Sequence, residues 1–310
     1  MTPMSFSSGD LIADRRADYA EALLTAGDAA AAADLYLQAL DIAPGWTAGW
    51  FRLGEIREAH RLPDAAAAYE RALALDPSDV LGARLRLDLI ADPRRAETMP
   101  SAFVEALFDQ YAGHFDEKLV GALGYRAPQL LRAGLAGRYA RALDLGCGTG
   151  LMGAELRAIA GDLEGWDISA EMLREAGAKG IYDRLEKVDL ARLAGADRQW
   201  DLITAADVFA YVGALERVVG WVALALAPGG TFAFTTEACP GDDFILQGSR
   251  RYAHSETYLR GLLDQAGFTA RFGRDTVRMD RGAPIEGLVV FARRRIEVGD
   301  RAPDGDLAQV

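Results

Sequence analysis

The chain has 310 residues, half of them hydrophobic and 26% charged, with a formal net charge of −12. That length allows about one to three domains, and the acidic balance argues against nucleic acid or an anionic membrane surface as a partner. Two cysteines, Cys147 and Cys239, exclude a disulfide scaffold, and neither is spaced with His60, His114 or His254 as metal ligands are, so no metal is expected.

Residues 1–10 lack the basic-then-apolar order of a signal peptide. No apolar run reaches the roughly 18 residues of a membrane span. The expectation is a soluble, cytoplasmic protein.

The first ninety or so residues are alanine-rich and helical in period. Ala32, Tyr36, Ala39, Leu40 and Pro44 recur as Ala65, Tyr69, Ala72, Leu73 and Pro77, at an offset of 33 residues. Trp50, Leu53 and Gly54 supply a large, an apolar and a small residue to the second unit. Small alanines let paired helices approach, the aromatic fills the groove between units, and the proline closes the second helix. This stretch resembles the tetratricopeptide family, whose helix pairs repeat at about 34 residues, with two units over 14–79. Arg16 and Ala20 depart from the pattern, and the turn of the second unit is one residue short. An ordinary antiparallel bundle is the competing reading. Residues 78–91 are expected to cap the array, and the prolines at 93 and 100 mark a linker over 93–100 between a helical domain (1–92) and a second domain (101–297).

In that second domain apolar strand candidates at 142–145, 163–166, 200–205, 230–235 and 288–291 alternate with helical stretches, including 169–176, 214–226 and 256–265. Alternation of this kind predicts a doubly wound α/β sheet. The polar, glycine- and proline-bearing tail from Val298 is expected to be loosely held.

The most informative stretch is Asp144-Leu145-Gly146-Cys147-Gly148-Thr149-Gly150. A strand delivers the chain to three alternating glycines and a helix carries it away, which describes a nucleotide-type cofactor cradle. Gly148-Thr149-Gly150-Leu151-Met152-Gly153 satisfies the dinucleotide fingerprint, with Asp167 at the end of the next strand, so a nicotinamide oxidoreductase is one reading. A carboxylate in front of the loop, Asp144, would be repelled by a pyrophosphate but suits a ligand that carries an ammonium.

The run 143–150 resembles the first motif of class I S-adenosylmethionine-dependent methyltransferases. Gly165-Trp166-Asp167-Ile168-Ser169, Lys187-Val188-Asp189-Leu190, the run 200–207 and Leu226-Ala227-Pro228-Gly229-Gly230 resemble the motifs that follow, in order. The resemblance implies a Rossmann-like sheet of seven strands with the last antiparallel. It also implies S-adenosylmethionine as the cofactor, released as S-adenosylhomocysteine. Asp144, Gly146, Cys147, Gly148, Thr149, Gly150, Asp167, Ile168, Met172, Asp189, Leu190, Ala205 and Asp207 would then form its site. Asp167 would take the ribose hydroxyls, through bonds of about 1.5–3 kcal/mol each, and Asp189 the adenine amino group. The stretches 108–116 and 251–255 resemble bacterial methyltransferases that carry tetratricopeptide repeats in front; Tyr111 and Phe115 would belong to a lid, or simply pack an amphipathic helix.

A sulfonium methyl donor brings its own electrophile, so the protein mainly aligns a nucleophile, and a base is needed only where the acceptor carries a proton. His254, with Tyr252 beside it, is the candidate base; alternatively Ser255 caps a helix and His254 orders the turn. Arg250 and Arg251 would grip a substrate carboxylate or phosphate, or form a solvated face. Glu237 and Asp207 point towards the acceptor pocket or accept from loop N–H groups. The acceptor is expected to be a small molecule. Alternatives are a protein or peptide recruited by the repeats, repeats that mediate self-association, and a non-catalytic scaffold.

Overall fold

The computed structural model describes residues 7–94, 96–117, 121, 123–196 and 198–296; the tail expected from residue 298 lies outside them. The chain divides into two units, one of residues 1–107 with 246–250 and one of 108–245 with 251–310. The division falls later than the linker expected at 93–100.

In the first unit, Asp10 starts α1 (Leu11–Thr25) by accepting the N–H groups of Ile12 and Ala13, an N-cap that satisfies two orphan donors. Asp28 does the same for α2 (Ala29–Ile42) through Ala31. Next come α3 (Thr47–Ala59), α4 (Ala65–Leu75) and α5 (Ala83–Ala91). Of the recurring alanines, Ala32 and Ala39 on α2 and Ala72 on α4 are buried, whereas Ala65, the counterpart of Ala32, is only half-buried and Ala68 one turn on is the enclosed residue. Tyr36 and Tyr69 are both buried, and their hydroxyls donate to Glu21 and Glu58 at 2.7 and 2.6 Å. Gly54 has no room for a Cβ, which would come within 2.6 Å of the Tyr69 ring.

A ladder of charges links alternate helices. Arg52 on α3 grips Glu21 on α1 with two bonds of 2.8 Å, and Arg86 on α5 reaches Glu55 on α3 at 2.9 Å. Arg52 and Arg86 are 34 residues apart, as are Glu21 and Glu55.

The second unit is built on nine strands among the described residues: β1 (Tyr139–Leu145), β2 (Ala160–Asp167), β3 (Arg184–Lys187), β4 (Trp200–Ala205), β5 (Leu226–Ala238), β6 (Phe244–Leu246), β7 (Tyr252–His254), β8 (Phe268–Asp280) and β9 (Ala283–Arg294). The last residue of β6, Leu246, is counted with the first unit. Strands β3, β2, β1, β4 and β5 lie side by side and parallel; β9 pairs antiparallel with both β5 and β8. The sheet is Rossmann-like and mostly parallel, and β9, last in the sequence, runs against its neighbours. The short strands β6 and β7 are an addition that sequence reading did not foresee; β7 extends the carboxyl end of β5 through Glu237–Ala253 and Ala238–His254 pairings.

Helices cover both faces. On one, α10 (Glu216–Ala225) and α11 (Glu256–Gln265) pack Val218, Val222, Leu259 and Leu263 against Leu143, Ile203, Phe232 and Phe234 of the sheet. On the other, α7 (Ala127–Gly134) and α8 (Leu151–Leu156) pack Leu131, Met152 and Leu156 against Ala142, Leu163 and Leu202. Among the described residues no helix is long and apolar enough to cross a membrane.

Candidate active site

The carboxyl ends of β1, β2 and β4 meet where β1 runs into the glycine loop. Gly146, Gly148 and Gly150 all take positive φ, at 60°, 53° and 93°. Each holds a different constraint. A Cβ on Gly146 would press within 2.6 Å of a Val208 methyl, whereas one on Gly148 would make only an ordinary contact with the Phe115 ring edge, at 4.0 Å. Cys147 between them is buried and donates its N–H to the Trp166 carbonyl at 2.9 Å, so it packs the turn.

Asp167 ends β2, and its carboxylate braces this loop. One oxygen accepts the N–H of Gly148 and the other the N–H of Ser169, both at 2.8 Å. Burial pushes its carboxyl above the ordinary range, opposed by these N–H donors. Ser169 then caps α9 (Ala170–Ala178) through the Met172 N–H at 3.0 Å. Ile168 is half-buried beside Asp167, whereas Met172 is fully enclosed and packs the core. Asp189 sits at the carboxyl side of β3, accepts from the Ala191 N–H at 2.9 Å and pairs with Arg192 at 3.3 Å. Leu190 beside it is half-buried.

Asp144 differs from its expected role. Its side chain does not stand open to a ligand ammonium: it is 1% exposed, and its two oxygens accept from the hydroxyls of Tyr182 at 2.7 Å and Thr204 at 2.9 Å. Burial pushes its carboxyl up to about 7 despite those donors. The Tyr182 ring also explains the third glycine of the fingerprint, because a Cβ on Gly153 would lie 2.3 Å from it. Sequence reading missed Tyr182, which lies 38 residues from its partner.

Over the loop lies the segment formed by the end of α6 (Ser101–Tyr111) and the 3-10 turn Ala112–His114. Asp109 accepts from the Ser169 hydroxyl at 2.5 Å, and Asp116 binds the Thr149 hydroxyl and the Lys179 ammonium, the latter at 2.6 Å. Phe108 packs edge-on to Phe115 and to Tyr211, with centroids 6.2 and 4.9 Å apart. Tyr111 is half-buried and His114 exposed. The two aspartates that anchor this segment were not singled out in the sequence.

The acceptor-side candidates separate. Asp207, just beyond β4, and Glu237 on β5 converge on Arg278 of β8, which sequence reading also missed. Ala205 is fully buried at the end of β4. Arg251 lies 3.9 Å from Glu237, its guanidinium 6.0 Å from the Tyr211 ring centre. Arg250 belongs to the other unit, where its N–H closes a turn on the Gln247 carbonyl.

His254 does not face a pocket. Its ring is 0% exposed, lies against Phe244 and Tyr258, and bonds the Gly213 carbonyl through Nε2 at 2.8 Å. A carbonyl only accepts, so Nε2 carries the proton. Burial lowers its pKa to about 4, against the pull of nearby carbonyls, which leaves a neutral, enclosed imidazole. Tyr252 is likewise fully buried, against Phe244, and Ser255 caps α11 through the Tyr258 N–H at 3.1 Å. The helix-cap alternative describes this turn; the expectation of a base at His254, with Tyr252 beside it in the site, does not.

The family model described as a methyltransferase domain matches residues 111–271, just over half of the chain. The chain belongs to this family. It is 31% identical over 181 residues to the malonyl-[acyl-carrier protein] O-methyltransferase of Enterobacter lignolyticus, covering 56% of this chain and 71% of that one. It is 27% identical over 161 residues to the ubiquinone biosynthesis O-methyltransferase of Cupriavidus pinatubonensis, covering 47% and 64%. The fold is shared with a putative methyltransferase solved in complex with a methyltransferase activator from Haloferax volcanii, at a TM-score of 0.50 and 18% identity over 61% of this chain and 97% of that one.

The protein is therefore an S-adenosylmethionine-dependent methyltransferase. Its loop fits that cofactor: a Cβ on Gly148 would meet nothing nearer than the Phe115 ring edge at 4.0 Å, and the carboxylates of Asp167 and Asp189 end β2 and follow β3.

Proposed function

We propose that this methyltransferase delivers its methyl group to an oxygen of a small molecule, and that the oxygen is anionic at neutral pH, as in a carboxylate. The observation that carries the small acceptor is the roof over the glycine loop, where Phe115 overlies Gly148 and Asp116 binds Thr149. We take a segment folded over the loop in this way to favour a compact acceptor over a protein surface. The cofactor supplies an electrophilic methyl on a positively charged sulfur. Gly146, Gly148 and Gly150 would cradle its amino-acid tail, Asp167 its ribose and Asp189 its adenine, with Phe115 and Tyr111 excluding water.

The choice of oxygen rests on the groups that could have served as a base. His254 is neutral and enclosed, and Asp207 and Glu237 are both held by Arg278. An acceptor that is already an anion needs none of them. Arg251, beside Tyr211, is the residue we assign to its charge. Both curated relatives described above carry O-methyltransferase names.

We read α1–α4 as two tetratricopeptide units, capped by α5, that bind a partner or a second copy of the chain. The 34-residue spacing of the Arg52–Glu21 and Arg86–Glu55 pairs supports that reading.

The test is transfer from methyl-labelled S-adenosylmethionine to a cell extract split into protein and low-mass fractions. Label in the low-mass fraction is expected; label confined to protein would overturn the small-molecule reading.

A further inference from the structure

A guanidinium buried to 1% exposure needs a reason, because burying a charge is strongly unfavourable unless it is paired and hydrogen-bonded. Arg278 is paired on two sides. One terminal nitrogen bonds both oxygens of Asp207 at 2.8 Å each, and the other bonds Glu237. The planar fork fits two carboxylates at once, which a lysine ammonium does not.

What the fork holds is an unusual piece of backbone. Asp207 sits at φ +60°, in the left-handed region that L-residues other than asparagine and aspartate rarely adopt. Its N–H donates to the Thr235 hydroxyl at 2.9 Å, and the carbonyl before it, that of Ala206, accepts from the Tyr125 hydroxyl at 3.1 Å. The next residue, Val208, presses on Gly146, the first glycine of the cofactor loop, so closely that a Cβ there would meet its methyl at 2.6 Å.

We propose that Arg278 is a positioning residue for the cofactor: its fork fixes the left-handed turn at Asp207, and the turn, through Val208, fixes the glycine loop at Gly146. Arg278 acts at a distance along this chain of contacts. The inference rests on S-adenosylmethionine as the ligand of that loop, and the wild-type protein serves as the control for that premise.

The experiment measures S-adenosylhomocysteine binding by calorimetry alongside thermal unfolding, for the full chain. Arg278→Lys keeps the charge and loses the fork. A triple variant, Arg278→Met with Asp207→Asn and Glu237→Gln, leaves no bare carboxylate behind and so guards against simple misfolding. Val208→Gly breaks the last link without touching a charge. All three are expected to unfold cooperatively and to bind S-adenosylhomocysteine at least tenfold more weakly than wild type. If the folded Arg278→Lys or triple variant binds within threefold of wild type, Arg278 serves stability alone and the proposal fails. If wild type itself does not bind, the cofactor premise fails, and this inference with it.

Discussion

Asp167 accepts the backbone N–H of Gly148 at 2.8 Å, so the carboxylate we assign to the cofactor's ribose also braces the glycine loop. Removing it costs the site twice. Asp167→Asn keeps one accepting oxygen and is expected to weaken S-adenosylhomocysteine binding about tenfold or more, and Asp167→Ala further still, since each charge-assisted bond contributes about 1.5–3 kcal/mol. Calorimetry showing unchanged binding in the folded alanine variant would separate Asp167 from the cofactor.

Asp144 gives a pH signature. Its carboxyl titrates near 7 when folded and near 3.8 when unfolded, so between those values the folded chain holds a proton that the unfolded chain has lost. Stability contributed by this group is therefore full below about pH 4 and is lost as pH rises to about 7, on the order of a few kcal/mol. Asp144→Asn mimics the protonated form. The variant should gain stability relative to wild type as pH rises from 4 to 8, read as the difference between their denaturant midpoints. A difference that does not change with pH would contradict the assignment.

His254 should behave as a structural residue. Substitution by alanine leaves the Gly213 carbonyl without its donor and opens a cavity in the cluster formed with Phe244 and Tyr258. A loss of about 2–4 kcal/mol is expected from those two effects. S-adenosylhomocysteine affinity of the folded fraction should stay within threefold of wild type. An unchanged melting temperature with abolished methyl transfer would restore His254 as a catalytic base.

The roof over the loop hangs on few contacts. Asp116→Ala removes the bonds to both Thr149 and Lys179, and it should speed S-adenosylhomocysteine dissociation several-fold while leaving the melting temperature within a few degrees. Stopped-flow release at the wild-type rate would show that this segment does not cover the ligand.

Much of this was legible in the sequence because apolar runs and glycines report local structure. The glycine loop stands where it was expected, and strands predicted at 142–145, 163–166, 200–205, 230–235 and 288–291 all form, most of them longer than read. Strand β3 was read only through the motif at 187–190, whose Lys187 is its last residue, and not as an apolar run, because Arg184–Lys187 is short and half-exposed with charges at three of its four positions. Strand β8 was missed because charged residues interrupt its apolar positions and the burial alternates weakly. The site itself was legible only in its backbone. Tyr182, Asp109, Asp116 and Arg278 act across 33 to 71 residues of chain, and no local spacing signals such partners. The ladder through Arg52 and Arg86 repeats at 34 residues, one more than the tyrosines, and a repeat sought among alanines and aromatics passes over charges.

The most direct measurement is the chemical form of the methylated product. Full-length protein is incubated with methyl-labelled S-adenosylmethionine and the low-mass fraction of a cell extract, and the labelled product is treated with mild alkali. Transfer to a carboxylate oxygen predicts a low-mass product that releases labelled methanol. Label that resists alkali, or that stays with protein, would contradict the account.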